Sequence, residues 1–394
     1  MQNSKGYLLT VCTCIFFLSG CWDQVAIEDR GFVVGTAIDL ADQQESDFYN
    51  VKMTYQFVVP AGLGAPGESG GPKAFTNISA TGKSLFEIIR YVDTQTSRAG
   101  YFEHLKVIVV SEEVMKEPEL FASVMDDFIR DQEMRRSMKV IVSENDAKNI
   151  LAVEPDAQKL PAIYIDSILQ NNYKSARVIM PVRIGQVHEY LLTDRSYVLP
   201  RITTTEDGKR IKENGVAVIH GYNNQMVGTL TGKETKGLNF ITHNNDGGTV
   251  EFEIDNHLMI YEIQNTKSSI KIEVNDNNKV DISIKIGAEG RIGEMYGSEK
   301  LLTPKRFAEI EKGISKKMEK LANQTLKKAQ KDLNADIFGF AELLKQRHYD
   351  DWQKMKDDWD HGDNIFADCN IKVTANAIVR SVGATDKTKD KGSE

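Results

Sequence analysis

The sequence contains few cysteines and lacks an apolar run long enough to cross a bilayer. Four cysteines in 394 residues are too few for a disulfide scaffold, and three of them lie within the first 21 positions. The most apolar run covers residues 7–18, whereas a membrane-spanning helix needs about 20 apolar residues. These two absences exclude a disulfide-stabilised miniprotein and a multi-span membrane protein.

An excess of positive charge is also missing. The chain has 49 Lys and Arg against 57 Asp and Glu, a formal net charge of −8, which argues against a nucleic-acid-binding protein. Apolar residues make up 41% and charged residues 27% of the chain, values typical of a folded protein and not of a disordered one. The length predicts two or three domains.

Catalytic and metal-binding motifs are absent or incomplete. The seven histidines show no HExxH or other metal-ligand spacing. Residues 62–67 match GxGxxG, but the prolines and glycines that follow disfavour the helix that must hold a pyrophosphate. Gly82-Lys83-Ser84 lacks the first glycine of a P-loop and is better interpreted as a turn and helix N-cap. The sequence thus predicts no catalysis and no bound metal or cofactor.

The N-terminus has the pattern of a bacterial lipoprotein signal. Lys5 precedes the apolar run, which ends in Leu18-Ser19-Gly20-Cys21, and small residues before a cysteine resemble a lipobox. Cleavage between Gly20 and Cys21 would leave Cys21 with a diacylglycerol and an N-acyl group, and two acyl chains anchor a protein stably where one does not. A buried or disulfide-bonded Cys21 after an ordinary cleavage site is the alternative.

The sequence predicts an α+β, multi-domain protein. Residues 1–20 form the signal peptide, and 21–204 form an N-terminal mixed α/β domain with a flexible loop at 60–72. Within it, strands near 105–111 and 137–143 flank a helix at 118–134, a pattern that predicts a parallel crossover. The loop at 60–72 is either a mobile connection or a ligand lid.

The polar segment 205–215 is the predicted domain boundary. After it, strands separated by Asn, Asp and Gly turns indicate an antiparallel sheet packed with long helices over 213–382, of which 213–248 is a possible separate small domain. A helix over about 304–333 begins with Thr303 as N-cap and Pro304 at its first position. The tail at 383–394 is charged, and we expect it to be disordered.

The long predicted helix has an apolar stripe and a basic face. The basic face carries nine basic residues against four acidic ones. Its net charge is therefore +5, although the protein as a whole is acidic. Lys316, Lys317 and Lys320 are therefore candidate contacts to anionic headgroups or to a partner, and a merely solvated face is the alternative. Trp352 and Trp359 lie seven residues apart, and they form either part of the core or a surface platform.

Several motifs together resemble the Ger(x)C family, the lipoprotein C subunits of spore germinant receptors. Cys21-Trp22-Asp23 is followed by Val34-Gly35-Thr36-Ala37-Ile38-Asp39, and the C-terminal part carries Asp336-Ile337-Phe338-Gly339, Trp352 and Trp359. The resemblance covers nearly the whole mature chain. It implies a multi-domain α+β fold and no active site, and Cys21 alone transfers as a functional residue.

The resemblance also implies a location and partners. The protein would lie on the outer face of the spore inner membrane, held in the bilayer through Cys21, and would act with membrane-embedded A-type and B-type subunits in the response to nutrients. A lipid-anchored solute-binding protein of a transporter is the alternative, and it predicts two similar lobes around a cleft. A surface hydrolase is a third hypothesis. The sequence argues against it, because it contains no recognisable set of catalytic residues.

We expect Cys21→Ala to abolish lipid attachment and lipoprotein processing, because the substitution removes the thiol that is acylated. Metabolic labelling with a fatty-acid analogue, followed by detection of the protein, measures this directly. Equal label on the wild type and the variant would show that Cys21 is not the acceptor.

Overall fold

The computed structural model describes residues 26–41, 50–64, 72–243, 247–275, 279–295 and 303–381. The predicted signal peptide at 1–20, Cys21 and the predicted tail at 383–394 lie outside these residues, as does 65–71 of the predicted loop. Thirteen strands of the described residues form two sheets. They are β1 (Arg30–Leu40), β2 (Val51–Val58), β3 (Phe75–Gly82), β4 (Ala99–Tyr101), β5 (Val107–Ser111), β6 (Lys139–Ser143), β7 (Tyr197–Thr204), β8 (Ile211–His220), β9 (Gln225–Leu230), β10 (Thr249–Ile254), β11 (His257–Val274), β12 (Val280–Met295) and β13 (Asn370–Ser381).

The α-helices of the described residues connect these strands and cover the sheets. They are α1 (Leu85–Asp93), α2 (Glu112–Lys116), α3 (Leu120–Arg130), α4 (Ala147–Ile150), α5 (Pro161–Leu169), α6 (Ile184–Thr193), α7 (Gly232–Thr242), α8 (Pro304–Lys328), α9 (Phe340–Arg347), α10 (Tyr349–Met355) and α11 (Ile365–Asp368). A π-helical turn, Ala329–Leu333, extends α8, so the predicted helix over 304–333 is confirmed.

The first sheet has the strand order β3-β2-β1-β5-β6-β7-β8-β9, and β4 pairs with β1. Its centre is parallel, since β1, β5, β6 and β7 run in one direction, and its two ends are antiparallel hairpins. Strands β5 and β6 are buried along their whole lengths, as expected for the middle of a sheet covered on both faces. The parallel crossover predicted for this region is confirmed.

The predicted boundary segment 205–215 lies inside this sheet. Residues 205–210 form the turn between β7 and β8, where the Thr205 N–H donates to the Arg210 carbonyl (2.8 Å) and Gly208 has a φ of +66°. Strands β8 and β9 therefore extend the first sheet as far as Leu230, and 213–230 is not part of a separate small domain. A polar, turn-rich composition marks a hairpin as well as a linker, because both need solvated, turn-forming residues.

The second sheet has the order β10-β11-β12-β13. Its first three strands are antiparallel, as predicted, but β13 runs parallel to β12. This parallel pairing requires a long crossover connection, and α8 to α11 supply it. Asp255 and Asn256, both with positive φ, form the two-residue turn between β10 and β11.

The described residues form two hydrophobic clusters, and the larger one spans both sheets and includes Leu238, Phe240 and Ile241 of α7. This helix packs against β8 and β9 of the first sheet, against β11 and β12 of the second, and against α8. Residues 235–241 are all buried. Polar members of α7 bond to backbone: Asn239 donates to the carbonyls of Ala176 (2.9 Å) and Val178 (2.8 Å). Gly237 allows the close approach of α8, because a Cβ there would lie 2.5 Å from the Leu321 carbonyl oxygen.

We expect Gly237→Ala to destabilise the protein by about 1–3 kcal/mol, because the added methyl group is forced against the backbone of α8. Gly185→Ala is the matched control, since Gly185 is also helical and an added Cβ there meets nothing closer than 3.4 Å. Alanine exceeds glycine in helix stability by about 0.5–1 kcal/mol, so the control should gain stability. Urea unfolding measures both, and equal effects would contradict the packing of α7 on α8.

Candidate functional site

The candidate site is the outer surface of α8, and the sequence of the helix fixes which side is outward. Thr303 accepts a hydrogen bond from the Arg306 N–H (3.2 Å) and Pro304 occupies the first position, as predicted. The apolar stripe of Ile310, Ile314, Met318 and Leu321 is buried. Because a helix turns by about 100° per residue, this stripe directs the opposite side of α8 to solvent.

One flank of α8 completes the edge of the second sheet. Strand β13 is the last strand of that sheet, and three of its outward N–H groups donate to side chains of α8 over 2.9 Å each. Four residues of helix advance about 6 Å and two residues of strand about 6.6 Å, so the two spacings match. The pairs are Ala375 with Glu319, Ala377 with Ser315, and Val379 with Glu311.

The other flank of α8 is joined to α7 by polar contacts. The Thr325 hydroxyl donates to the Glu234 carbonyl (2.7 Å), and the Lys328 ammonium contacts both carboxylate oxygens of Glu234 (2.9 and 3.0 Å). Hydrogen bonds from Lys328 and Thr231 hold the pKa of Glu234 below its ordinary value, against the raising effect of its burial. Both flanks of α8 are thus held, and its rotation about its own axis is fixed.

Five lysines share the outward side of α8, and we call them the lysine stripe. All five side chains are exposed, and none makes an ion pair with another described residue. The helix rise of 1.5 Å per residue spreads them over about 33 Å. The stripe consists of Lys305, Lys312, Lys316, Lys320 and Lys327.

The structure therefore divides the three lysines chosen from the sequence. Lys316 and Lys320 lie on the lysine stripe, whereas Lys317 is half-buried on the flank near Lys236. Other basic residues of the helix are paired: Arg306 with Asp255 and Glu309, and Lys328 with Glu234. Spacings of four and seven residues are the sequence signal that separates the lysine stripe from these paired residues.

A second polar cluster follows α8 in the chain. It contains Asp336 and Trp359, two residues of the C-terminal motifs, and shows that both have a structural role. Asp336 is fully buried and accepts four hydrogen bonds, from the indole N–H of Trp359 (2.9 Å) and from three backbone N–H groups at the start of α9. Burial raises the pKa of Asp336 in spite of these bonds. Trp359 is 2% exposed and Trp352 half-buried beside it, with ring centroids 6.1 Å apart. Core packing of this pair is confirmed, and no surface platform forms.

The same cluster connects the second sheet to the first. Asp360 accepts hydrogen bonds from the Ser196 hydroxyl (2.6 Å) and from the Asp336 N–H (3.1 Å), and its carbonyl oxygen contacts Nε2 of His220 (2.6 Å). Ser, His and Asp meet here, but the serine donates to the aspartate and not to a histidine, so the geometry is not that of a catalytic triad. The hydrogen bonds of Asp360 instead form a structural network between the two sheets.

The described residues contain no cluster of three or more potential metal ligands. In the same part of the chain, no helix combines the length and the apolarity that a bilayer crossing requires. Ser84 accepts a hydrogen bond from the Glu87 N–H (3.2 Å) and caps α1, so the P-loop-like segment is a turn and N-cap, as interpreted. Gly20 and Cys21, the predicted cleavage and lipidation residues, lie outside the described residues.

Comparison with known proteins matches both halves of the chain. Residues 23–204 match the family model "Spore germination protein N-terminal domain", and residues 214–383 match "Spore germination B3/GerAC like, C-terminal". Spore germination protein YndF of Bacillus subtilis is 29% identical over 97% of both chains. Spore germination protein B3 of the same organism is 27% identical over 94% of this chain and 96% of that protein.

A solved structure shares the fold. The crystal structure of the GerBC protein aligns with a TM-score of 0.59 and 22% identity, over 88% of this chain and 97% of that one. At this identity the likeness concerns the fold alone. It confirms the predicted α+β, multi-domain architecture.

We expect Asp336→Ala to destabilise the protein by at least about 3 kcal/mol, because several buried donors lose their acceptor and each costs about 1–3 kcal/mol. Asp336→Asn keeps one acceptor oxygen and should lose less. Asp332→Ala, at an exposed position of the preceding turn, should stay within about 0.5 kcal/mol of the wild type. Urea denaturation compares the three variants, and similar stabilities for all would contradict the role given to Asp336.

Proposed function

The chain belongs to the Ger(x)C family of spore germination proteins, and from this premise we propose that it is a non-catalytic subunit of a nutrient germinant receptor. It is anchored by lipid on Cys21 to the outer face of the spore inner membrane. It acts through contacts with membrane-embedded A-type and B-type subunits and is needed for the germination response.

One observation carries this proposal: both family domains match in order along nearly the whole chain. The relatives that span the chain are named spore germination proteins, among them proteins A3, B3 and KC of Bacillus subtilis. These relatives align with this chain over 94–97% of its length and over 93–99% of their own, which supports a role in germination for this chain as well.

The polar clusters of the described residues support a role without catalysis. Asp336 and Asp360, which lie closest to a catalytic arrangement, are occupied by hydrogen bonds to backbone, Trp359 and Ser196. Groups that serve as acceptors for buried donors are not available as a general acid or base for a substrate.

The lysine stripe supports contact with an anionic surface. The chain carries a net charge of −8, yet five lysines lie on one exposed line without an anionic partner among the described residues. A lysine near an anionic membrane contributes about 1 kcal/mol. Lipid headgroups beside the Cys21 anchor, or acidic loops of a membrane-embedded subunit, would present such a surface.

The alternative of a solute-binding protein receives less support. That class needs two similar lobes, whereas the described strands form one mixed sheet of nine and one sheet of four with a different order. The two halves are not repeats of one another.

The proposal is tested in spores of the source organism from which the gene is deleted. We expect these spores to lose the response to at least one nutrient while still germinating with a trigger that bypasses the receptors. Wild-type protein should restore the response and Cys21→Ala should not. A normal response to every nutrient that triggers the parent would refute the proposed function.

We expect the combined variant Lys312→Glu, Lys316→Glu and Lys320→Glu to lower the germination response without loss of stability. Three favourable contacts become repulsive, while exposed substitutions stay within about 0.5 kcal/mol each. Lys316→Glu, Lys317→Glu and Lys320→Glu should act in the same direction, with a larger effect on stability because Lys317 is half-buried.

The matched control for this prediction is Lys106→Glu, Lys209→Glu and Lys212→Glu, which makes the same charge change on exposed residues in β8, in the turn before it and just before β5. Thermal unfolding measures stability, and an immunoblot of the spores measures abundance. A normal response from spores with wild-type amounts of the stripe variant would leave a solvated face as the explanation.

A further inference from the structure

The lysine stripe of α8 is an almost uninterrupted line of positive charge. At about 100° per residue, its five lysines fall within an arc of about 80° of the helix. The same arc contains two other residues. Glu309 pairs with Arg306 (3.1 Å), and the Asn323 side chain donates to the Glu319 carbonyl (2.8 Å). One carboxylate thus interrupts the stripe, and an arginine of the same helix neutralises it.

The outward side of α8, all of which the structure describes, offers no large apolar side chain to a partner. Between Lys305 and Lys327, its exposed residues other than lysine are Ala308, Glu309, Asn323 and Gln324. Phe307, the aromatic residue of the helix, packs against the core instead. Protein–protein interfaces are centred on buried aromatic or apolar residues, and lysine is depleted in them. The composition of this face therefore argues against a protein as the partner.

The use of lysine also favours acceptors that move over acceptors with fixed positions. The guanidinium of arginine is a rigid fork that fits one carboxylate or phosphate group, whereas the ammonium of lysine is a point charge on a flexible chain. The arginine of α8, Arg306, contacts Asp255 and Glu309 within the protein. Lipid headgroups diffuse laterally, so flexible ammonium groups spread over about 33 Å can each reach a phosphate.

The remaining charge of the chain decides which side meets an anionic surface. The whole chain has a net charge of −8, and the residues outside the lysine stripe carry a still larger excess of acid. An anionic bilayer attracts the stripe and repels this excess over about one Debye length, which is about 8 Å at physiological ionic strength. The chain therefore turns the lysine stripe toward such a bilayer.

We propose that α8 lies on the bilayer surface, with its axis parallel to the membrane and the lysine stripe against the phosphates of anionic phospholipids. The helix stays outside the acyl region, because helices that enter it carry Trp, Phe or Leu on the buried side. The proposal rests on the proposed function in one respect, since lipid on Cys21 brings the chain to the membrane. Both flanks of α8 are held by the protein, so this second attachment orients the second sheet and α7 relative to the bilayer.

Amine labelling of the full chain on vesicles tests the proposal. The chain is added to preformed vesicles of phosphatidylcholine alone, or of phosphatidylcholine and phosphatidylglycerol in equal parts, and peptide mass spectrometry gives the labelling rate of each lysine. With phosphatidylglycerol, we expect the rates of Lys312, Lys316 and Lys320 to fall roughly fivefold or more. High salt should restore them, because it shortens the Debye length. The control residues, which should not change, are the exposed Lys106, Lys209 and Lys212.

A charge-reversal variant tests whether the stripe acts as a unit. In the combined variant Lys312→Glu, Lys316→Glu and Lys320→Glu, the two remaining lysines of the stripe should be labelled on phosphatidylglycerol vesicles as fast as on phosphatidylcholine vesicles. The matched variant Lys106→Glu, Lys209→Glu and Lys212→Glu should leave them protected. Thermal unfolding shows that each variant is folded, and the comparison of the two vesicles with the wild-type chain stands without either variant. The two remaining lysines are Lys305 and Lys327.

Several results would overturn the proposal. They are equal labelling of the stripe on the two kinds of vesicle, an equal fall at the control lysines, and protection of Lys305 and Lys327 that survives in the stripe variant. Protection that requires membrane-embedded A-type and B-type subunits would also overturn it and would assign the stripe to an acidic protein surface. The same spectra report whether Cys21 is acylated, so a failure of the anchor is distinguished from a failure of docking.

Discussion

The surface that α8 presents depends on the hydrogen bonds between this helix and the edge of the second sheet. No other strand of the described residues lies beside the outer edge of β13, and an edge of this kind exposes N–H groups that another chain could pair with. Glu311, Ser315 and Glu319 accept from three of those groups, so the helix replaces a neighbouring strand. With these residues turned toward β13, the lysine stripe can only point to solvent.

The connection between the two sheets depends on a different kind of constraint. Residues 235–241 of helix α7 are buried between them, the Asn239 amide donates to backbone carbonyls, and the Thr325 hydroxyl of α8 donates to the carbonyl of Glu234. The hydrogen bonds of Asp336 and Asp360 join the sheets a second time at the start of α9 and beside β7. A partner that binds the lysine stripe therefore contacts a helix whose neighbours belong to one continuous core.

Much of this architecture could be predicted from local patterns. The buried strands β5 and β6, the cap at Thr303 and the apolar stripe of α8 follow from runs and periodicities within a few residues of each other. Helix α7 was not predicted, because Lys236 and Asn239 make its sequence look solvent-exposed, although Thr231 and Glu234 form a capping box that marks its start. Burial of such residues depends on partners that are distant in the sequence.

The remaining differences have two causes. The parallel pairing of β13 with β12 follows a connection of more than seventy residues, and composition does not encode such a long-range pairing. The hairpin of β7 and β8 across 205–210 is local, but its polar turn has the composition of a linker. The basic face of α8 could be predicted as a whole. Its division into the exposed lysine stripe and paired or half-buried residues such as Lys317 needed the positions of Glu234, Asp255 and Lys236.

Hydrogen exchange at three amides of β13 tests the central claim, that side chains of α8 complete the edge of the second sheet. We expect the N–H groups of Ala375, Ala377 and Val379 to exchange slowly in the full chain, and we expect Glu319→Ala to speed the exchange of Ala375 far more than that of Val379. Exchange of all three amides at the rate of an unprotected edge strand would contradict the account, and with it the fixed orientation of the lysine stripe.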